Sequence, residues 1–382
     1  MRTYEFRQYF LNYQQKYHEI FPIELLYGYT LHGFVYSKKL NIKMRRIRSH
    51  AGNAFQIRPS FVMPYMIANT DEIEKGLYLR RWGVPFDALA YVLGHDAMFW
   101  YRAYLSLGRN SIVGTTIKKQ ENLPEHLLSD EKHTWFQGEK AYVTTTVGNG
   151  CLLGAALVAN ADTISLHQGY CQFKEEIENI SQSYSPKTVN TDGWEATQNA
   201  WLALFPTVKI ILCFLHSFLK IQTSCKRQKD LLREIADKVW NSYQSSTIAS
   251  FGQRIRRLRE WGTEHLNPGY LQDKVLSLCK KYPLFRTAYL FPQCHRTSNA
   301  LDRLMNYQDR ILYAMQYFHG DWDSAQLYLR AMALLWNFHP YCAKLREAEG
   351  RHSPFKDANG FLYHENWLHN LLIAASMGGR RC

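Results

Sequence analysis

The sequence lacks the cysteine patterns of zinc modules and of disulfide-stapled secreted domains. Its eight cysteines never form a Cys-x-x-Cys pair, and their spacing does not match a disulfide framework. Residues 1–120 contain no cysteine at all, which excludes a cysteine-rich zinc module in that part of the chain. We therefore expect free thiols in a reducing compartment.

Long apolar runs and internal repeats are also missing. No stretch approaches the roughly 18 consecutive apolar residues of a membrane-spanning helix, and residues 1–7 lack the apolar segment of a signal peptide. No segment repeats at intervals of about 20–50 residues, which excludes solenoids and propellers. These absences predict a cytoplasmic protein of two or three globular domains that has no membrane partner.

Acidic residues are scarce outside one central block. The net charge is +13, and residues 1–120 carry 17 Lys and Arg against 8 Asp and Glu. Residues 121–216 carry 5 against 11, and residues 217–300 carry 15 against 6. An acidic block between two basic blocks is typical of a metal site flanked by surfaces that hold DNA, because Lys and Arg neutralise phosphates. Ordinary solvated surface charge is the alternative interpretation.

The first 120 residues predict a mainly helical DNA-binding region. Residues 29–36 look like a strand, and helix start and stop residues divide 71–108 into three helices joined by short glycine-containing turns. This helix-turn-helix-like unit could place its last helix on DNA; a plain three-helix core is the alternative. The basic candidates for DNA contact here are Lys38, Lys39, Lys43, Arg45, Arg46, Arg48 and Arg102.

From residue 128 the pattern changes to the alternation of strands. Three meandering strands are predicted at 130–136, 141–147 and 152–159, with turns at Gly138 and at Gly148-Asn149-Gly150. A helix at 163–183, a strand at 188–191, a helix at 194–205 and a strand at 208–213 follow. Three strands followed by alternating helices and strands is the element order of an RNase H-like α/β fold with a mixed sheet.

The rest of the chain is predicted to be helical. Residues 121–216 and 297–340 would form the RNase H-like catalytic domain, 217–296 a basic all-α insertion within it, and 341–382 a C-terminal helical tail. In the insertion Arg254, Arg256 and Arg257 are candidates for DNA contact. The aromatic residues Trp240, Trp261 and Tyr270 could stack on unpaired bases, although aromatic residues at helical spacing more often belong to a core.

Asp130 and Asp192 are the strongest candidates for metal ligands. Each is predicted at a strand end, on the first and fourth strands of the sheet, where an RNase H-like fold collects its carboxylates. Glu131 points to the opposite face of its strand, because side chains alternate, and is the reserve candidate. Acidic residues also cap strand ends for structural reasons, which is the alternative for both.

A third carboxylate is expected from the helix that follows the insertion. A cap at residue 298 or 299 places Asp302 in the first turn, close to the sheet. Asp309 lies roughly 10 Å further along the helix, and Glu260 and Glu264 of the insertion are the remaining alternatives. Three such carboxylates can hold two Mg²⁺ or Mn²⁺ ions about 4 Å apart for phosphodiester chemistry.

The pair Cys213-x-x-His216 closes the predicted fifth strand. Structural zinc needs four ligands and no second pair is near, so zinc is not expected. His216 is placed to approach a scissile phosphate or a metal-bound water, and we treat it as a candidate catalytic residue. A histidine with a purely structural role is an equally weighted alternative.

From about residue 128 to 340 the chain resembles the DDE transposases of insertion sequences, in the broad Mutator-like grouping. The resemblance rests on six short motifs. They are Ser129-Asp130-Glu131, Asn190-Thr191-Asp192-Gly193, Cys213-x-x-His216, Thr297-Ser298-Asn299 ahead of Asp302, and the pair Tyr317-Phe318-His319-Gly320 and Asn337-Phe338-His339-Pro340. Two features depart from the pattern: many relatives have Glu as third acid, and some carry an N-terminal zinc module that is absent here.

The resemblance implies a prokaryotic, nucleoid-associated enzyme that cleaves DNA at the terminal inverted repeats of its own element. It implies joining of the freed 3′ ends to target DNA with Mg²⁺ as cofactor, by a homo-oligomer assembled on DNA. Asp130, Asp192 and Asp302 would hold the metal ions. Two other functions remain open at this point: an RNase H-like structure-specific nuclease without strand transfer, and a non-catalytic domesticated DNA-binding protein.

Overall fold

The computed structural model describes residues 2–225 and 227–380 and has a mixed α/β architecture, which confirms the α/β class of the prediction. The strands form two separate sheets, of three and five strands. The strands are β1 Tyr29–Ser37, β2 Ile42–Ser49, β3 Ala54–Ile57, β4 His126–Phe136, β5 Glu139–Gly148, β6 Cys151–Val158, β7 Thr188–Thr191 and β8 Lys209–Leu212.

The N-terminal region is less helical than predicted, because β1, β2 and β3 form an antiparallel sheet in that order. Helix α1 (Thr3–Lys16) covers one face of this sheet. Its core is small and consists of Phe6, Phe10, Leu25 and Ile47. Residues on either side of Ile47 in β2 point to the other face, since side chains alternate along a strand. That face therefore carries Arg46 and Arg48.

Four short helices follow, and the first three are those predicted between 71 and 108. They are α2 Thr70–Arg80, α3 Phe86–Leu93, α4 Ala97–Leu107 and α5 Ile112–Thr116. Asp96 caps α4 by accepting a hydrogen bond from the backbone N–H of Phe99 at 2.7 Å. One side of α4 is buried, including Trp100 and Tyr104, in the same hydrophobic core as one face of the larger sheet. This packing is what the three-helix-core interpretation describes.

The five-stranded sheet has the order β6-β5-β4-β7-β8. Strands β4, β5 and β6 are antiparallel, whereas β7 runs parallel to β4 and β8. Both predicted turns are present: Gln137-Gly138 and Asn149-Gly150 each have two consecutive positive φ angles, as two-residue hairpin loops of type I′ require. Of the three strands predicted for this hairpin region, only β6 ends earlier than predicted, at Val158 and not at residue 159.

One prediction about the sheet is wrong. Strand β4 begins at His126, four residues earlier than expected, so Asp130 lies within the strand and not at its end. The extension is stabilised by parallel pairing of residues 126–128 with residues 188–190 of β7. This pairing is non-local, and local sequence patterns do not report it. Asp192, in contrast, does follow directly on the end of β7.

Helices cover both faces of this sheet. Helices α6 (Thr163–Glu178) and α7 (Glu195–Leu204) pack on one face through a core that includes Tyr170, Phe173 and Trp201. Helices α13 (Asn299–Ala314) and α14 (Trp322–Phe338) pack on the other face. The edge strand β6 is covered by α14, whose Asn337 accepts from the backbone N–H of Leu152 at 2.8 Å and donates to its carbonyl at 2.7 Å.

The segment between β8 and α13 is helical, as predicted, and has its own hydrophobic core. Its helices are α8 Phe214–Ser224, α9 Lys229–Tyr243, α10 Ile248–His265, α11 Tyr270–Lys280 and α12 Tyr282–Arg286. Because α8 starts at Phe214, His216 lies in the first turn of a helix and not in a strand-end loop. The predicted break near residues 266–269 separates α10 from α11.

The C-terminal tail is helical up to the last described residues. It contains α15 Ala343–Glu349, α16 Pro354–Asn359 and α17 Trp367–Ala374. Phe355, Leu368 and Leu371 belong to the large core shared with α4 and α14. No helix in residues 2–225 or 227–380 is both long and apolar enough to cross a membrane.

Candidate active site

Asp130 is held on the face of β4 that is covered by α13. Its Oδ1 accepts a hydrogen bond from the backbone N–H of Glu131 at 2.8 Å. Lys132, two residues on, lies on the same face and pairs with Asp309 of α13 at 2.6 Å. Glu131 lies on the opposite face, where its Oε1 accepts hydrogen bonds from Tyr170 at 2.6 Å and from Thr197 at 2.7 Å. Asp130 alone therefore faces the helix that carries the candidate third acid.

Asp192 begins the turn that connects β7 to α7. Its Oδ1 accepts from the backbone N–H of Trp194 at 2.8 Å, which fixes the carboxylate at the end of the strand. The turn needs glycine at the next position, because Gly193 has a φ of 97° and an added Cβ would lie 2.5 Å from Leu212. Strand β7 lies directly beside β4, so Asp192 is brought next to Asp130 by adjacent parallel strands.

Asp302 reaches the same end of the sheet from α13. The chain returns there because the Arg296 carbonyl accepts from the backbone N–H of Phe214 at 3.1 Å, and the His295 carbonyl accepts from Asn190 Nδ2 at 2.8 Å. Asp302 lies in the first turn of α13, and its carboxylate oxygens each lie 3.4 Å from the Ser298 hydroxyl, which donates to them.

The alternatives for the third acid lie elsewhere. Asp309 is engaged with Lys132, and Lys132 would have to release it before it could bind a cation. Glu260 and Glu264 are exposed on α10 of the helical segment. Neither of them is among the groups whose charge acts on Asp130. Asp302 is therefore the best-placed candidate.

The pKa of Asp130 indicates which charges meet at this end of the sheet. Burial is the main cause that raises it, to about 6, and the negative charges of Asp192 and Asp302 raise it further. The backbone hydrogen bond from Glu131 and the charge of His216 act in the opposite direction. Asp192, Asp302 and His216 thus all lie within electrostatic reach of Asp130, and we call these four residues the acidic cluster.

His216 is connected to the cluster through Cys213 and Ser298. The Ser298 hydroxyl lies 3.4 Å from His216 Nδ1 and 3.4 Å from the Cys213 sulfur. The hydrogen bond with Cys213 raises the pKa of His216 to about 9 against the effect of burial, and the charges of Cys213, Asp130 and Asp192 add to it. Burial opposes ionisation of Cys213, but its hydrogen bonds with His216 and Ser298 outweigh burial and lower the thiol pKa. His216 is therefore a cation beside three acids at neutral pH.

The donor chemistry of the cluster suits a hard divalent cation. Mg²⁺ prefers carboxylate oxygens and binds one or two of them together with water and phosphate oxygens. Among residues 2–225 and 227–380, no three His, Cys, Asp or Glu side chains already stand together as a ligand set for one ion. In the two-metal arrangement each ion would take two carboxylates, one of them shared between the ions, so no set of three side chains around one ion is required. Burial and the negative charges of Asp192 and Asp302 disfavour ionisation of Asp130, and a bound cation would offset that cost.

The sequence patterns missed two residues of this site. Ser298 was considered only as a helix cap, yet its hydroxyl contacts Cys213, His216 and Asp302. Lys281, at the end of α11, interacts electrostatically with Asp192, which raises the pKa of the lysine. Burial and the charge of Lys220 outweigh this effect, so that the pKa of Lys281 is lowered. No local pattern links a lysine of the helical segment to a strand end so far away in the chain.

The predicted DNA-contacting residues lie on several surfaces. Lys38 and Lys39 lie in the turn between β1 and β2, and four more lie on β2 itself: Lys43, Arg45, Arg46 and Arg48. Arg45 packs over the rings of Phe6 and Phe34, each at 4.6 Å. Arg102 is exposed on α4, and Arg256 and Arg257 are exposed on α10. Arg254 instead donates to the Asn241 carbonyl within the helical segment.

The proposed base-stacking residues of the helical segment are mostly packed. Trp240 contacts Phe218 and Tyr243, with ring centroids 5.2 and 5.3 Å away. The ring of Trp261 stacks on that of His265, with centroids 5.8 Å apart, and the Lys238 Nζ lies 4.8 Å from the centre of the Trp261 ring. Tyr270 is the exception, since it is 67% exposed. Trp240 therefore fits the core interpretation.

No protein-family model matches this chain, and no curated protein matches its sequence significantly.

Proposed function

We propose that this chain is a DDE-type transposase, which cleaves DNA at the ends of a mobile element and joins the 3′ ends to target DNA. The observation that carries the proposal is the position of Asp130 and Asp192 on adjacent parallel strands, with the charges of Asp192 and Asp302 both acting on Asp130. The strand order β6-β5-β4-β7-β8 is compatible with an RNase H-like core. The all-helical segment between β8 and α13 fits an insertion before the third acid.

The residues of the acidic cluster have distinct proposed roles. Asp130, Asp192 and Asp302 would hold two Mg²⁺ or Mn²⁺ ions, with Asp130 the shared ligand, because the charges of both Asp192 and Asp302 act on it. When bound, the ions would activate the attacking hydroxyl and neutralise the leaving oxygen. His216, as a cation, would hold the scissile phosphate against the cluster. Ser298 would position both His216 and Asp302.

The basic surfaces would hold the DNA on either side of this site. The face of the N-terminal sheet opposite α1 offers Arg46 and Arg48, and the helical segment offers the exposed residues Arg256 and Arg257. Lys281 of the same segment acts on Asp192. Phosphate neutralisation by such groups supplies affinity without sequence preference. We infer that the active form is a homo-oligomer assembled on DNA and associated with the nucleoid.

A plasmid assay tests this function. The purified full chain would be incubated with a plasmid that carries its gene and the flanking DNA, with Mg²⁺ or with EDTA. Metal-dependent nicks at short inverted repeats, and junctions between those 3′ ends and new DNA, are the expected products. Nicks without junctions would replace the proposal with a nuclease. An absence of any cleavage, with DNA binding retained, would replace it with a non-catalytic DNA-binding protein.

Asp130→Asn supplies the matched negative variant, because it removes a charge and keeps the shape. Glu131→Gln is the control on the same strand. Its side chain lies on the opposite face and binds Tyr170 and Thr197, so cleavage should survive this change. Equal loss in both variants would indicate that the strand, and not the carboxylate of Asp130, is what matters.

A further inference from the structure

A cavity of about 80 Å³ lies between the end of α2 and the end of α14. Its lining includes Arg81, Trp82, Trp336 and His339, together with the segment Pro340–Cys342. No residue of the acidic cluster lines it. A cavity of this size has room for about five water molecules or one tetrahedral oxyanion. His339 belongs to the motif Asn337-Phe338-His339-Pro340, to which the proposed function assigns no role.

Arg81 brings an uncompensated positive charge to this cavity. Its guanidinium carbon lies 4.6 Å from the ring centre of Tyr307, 4.7 Å from that of Trp336 and 5.1 Å from that of Trp82. The atoms Nε and Nη1 are buried and have no hydrogen-bond partner. In the described part of the chain no carboxylate forms an ion pair with Arg81. Burial lowers its pKa, but a guanidinium stays protonated in proteins.

His339 adds a hydrogen-bond acceptor beside these donors. The side chain is 4% exposed, and its Nδ1 lies 2.8 Å from the Pro340 carbonyl oxygen. Because a carbonyl only accepts, Nδ1 carries the proton and Nε2 presents its lone pair. Nε2 is buried without a partner. Burial, followed by the charges of Arg81 and Arg346, lowers the pKa of His339 to about 3, so the ring is neutral.

The charges around the cavity favour an anion. Arg310 packs over the ring of Trp82 at 5.4 Å, and Arg346 acts on His339 from α15. The acid connected to the lining is Asp357, which accepts from Tyr341 at 2.9 Å and already pairs with Arg351 at 2.6 Å. A buried, unpaired cation is costly unless an anion joins it. An oxyanion would satisfy Arg81 and relieve its repulsion with Arg310.

We propose that this cavity binds a phosphate monoester, the terminal 5′-phosphate of a DNA strand. At about pH 6, its second pKa, a monoester still carries an O–H that can donate to His339 Nε2, while its charged oxygens accept from Arg81. Because these buried nitrogen atoms have almost no accessible surface, both side chains would turn toward the cavity when the ester binds. A backbone diester has no such O–H. The choice of DNA as carrier of the phosphate rests on the proposed function; the choice of a phosphate monoester rests on Arg81 and His339 alone.

A binding assay in EDTA tests the site without any cleavage. The full chain would be titrated with a 3′-labelled single strand that carries either a 5′-phosphate or a 5′-hydroxyl. We expect about tenfold tighter binding of the phosphorylated strand, the gain of one charge-assisted hydrogen bond. Inorganic phosphate should compete for this advantage. Sulfate, which has no O–H at neutral pH, should compete poorly.

Variants locate the effect. Arg81→Lys keeps the charge and most of the volume but loses the planar fork, and His339→Phe keeps the ring but removes the acceptor; each should lose most of the preference. Arg233→Gln, at an exposed residue of α9 that is remote from the cavity, should keep it.

Equal affinity of the wild-type chain for both strands would overturn the proposal even if no variant folds. Equal affinity for both strands, together with thermal stabilisation by inorganic phosphate that Arg81→Lys loses, would overturn the assignment to DNA ends in favour of a free phosphate compound. Because no metal is present, either result leaves the proposed cleavage function untouched, and failure of the plasmid assay leaves this result untouched.

Discussion

Replacing Asp130 by asparagine should stabilise the metal-free protein at alkaline pH while removing its proposed chemistry. The pKa of Asp130 is raised from 3.8 to about 6, chiefly by burial and then by Asp192. A carboxyl whose pKa is raised on folding contributes stability that is complete below pH 4 and is lost as the pH rises through about 6. Above that range the folded protein holds an unfavourable charge, which asparagine would remove.

The magnitude follows from the shift. About 2 pKa units correspond to about 3 kcal/mol at most. Since the side chain of Asp130 is not fully buried, we expect about 1–3 kcal/mol. For a chain of this length the gain would raise the melting temperature by about 1–4 °C. The gain should be present at pH 8 and absent at pH 4.

Thermal unfolding of both proteins in EDTA at the two pH values measures this effect, and repetition with Mg²⁺ links it to function. Wild type should gain stability from Mg²⁺, whereas Asp130→Asn should not, because one ligand of the proposed ions is gone. Glu131→Gln is the control: the pKa of Glu131 is raised to about 7, mainly by burial, so it should also gain stability at pH 8 but keep the response to Mg²⁺. A gain of equal size at pH 4, or no gain at pH 8, would refute the reasoning from burial and charge.

Three further outcomes are expected. Asp302→Ala should abolish cleavage in the plasmid assay. Asp309→Ala should reduce cleavage by less than about tenfold, because Asp309 is paired with Lys132. A larger loss of cleavage in Asp309→Ala than in Asp302→Ala would make Asp309 the third acid. The double change Arg46→Gln and Arg48→Gln in the full chain should weaken DNA binding and lower its salt dependence by about two released ions. A titration at several salt concentrations measures this effect, with Lys187→Gln as the control. An unchanged salt dependence would show that the N-terminal sheet is not part of the DNA surface. Asn337→Leu should cost about 2–4 kcal/mol in urea unfolding, because it leaves both backbone groups of Leu152 unpaired; a cost near that of the exposed control Asp323→Asn would contradict the role of Asn337 at the sheet edge.

The sequence by itself determined the local elements of this protein. Alternating apolar residues and the glycine turns at Gly138 and Gly150 specify the hairpins, because two-residue loops of this kind need positive φ angles. Helix caps such as Asp96 specify where helices start. The choice of Asp130 over Glu131 followed from strand alternation, and the placement of Asp302 in a first helical turn followed from capping. These are interactions between residues a few positions apart.

Only the tertiary structure decided how those elements meet. The parallel pairing of β4 with β7 lengthens β4 and moves Asp130 from the strand end to its interior. Lys281 approaches Asp192, and Ser298 contacts Cys213 and His216, through contacts between distant segments that leave no periodic trace in the chain. The cavity at Arg81 depends on rings from α13 and α14 packing around a residue of the α2 turn. Packing of this kind is decided by shape and burial over the whole molecule, and short-range patterns do not encode it.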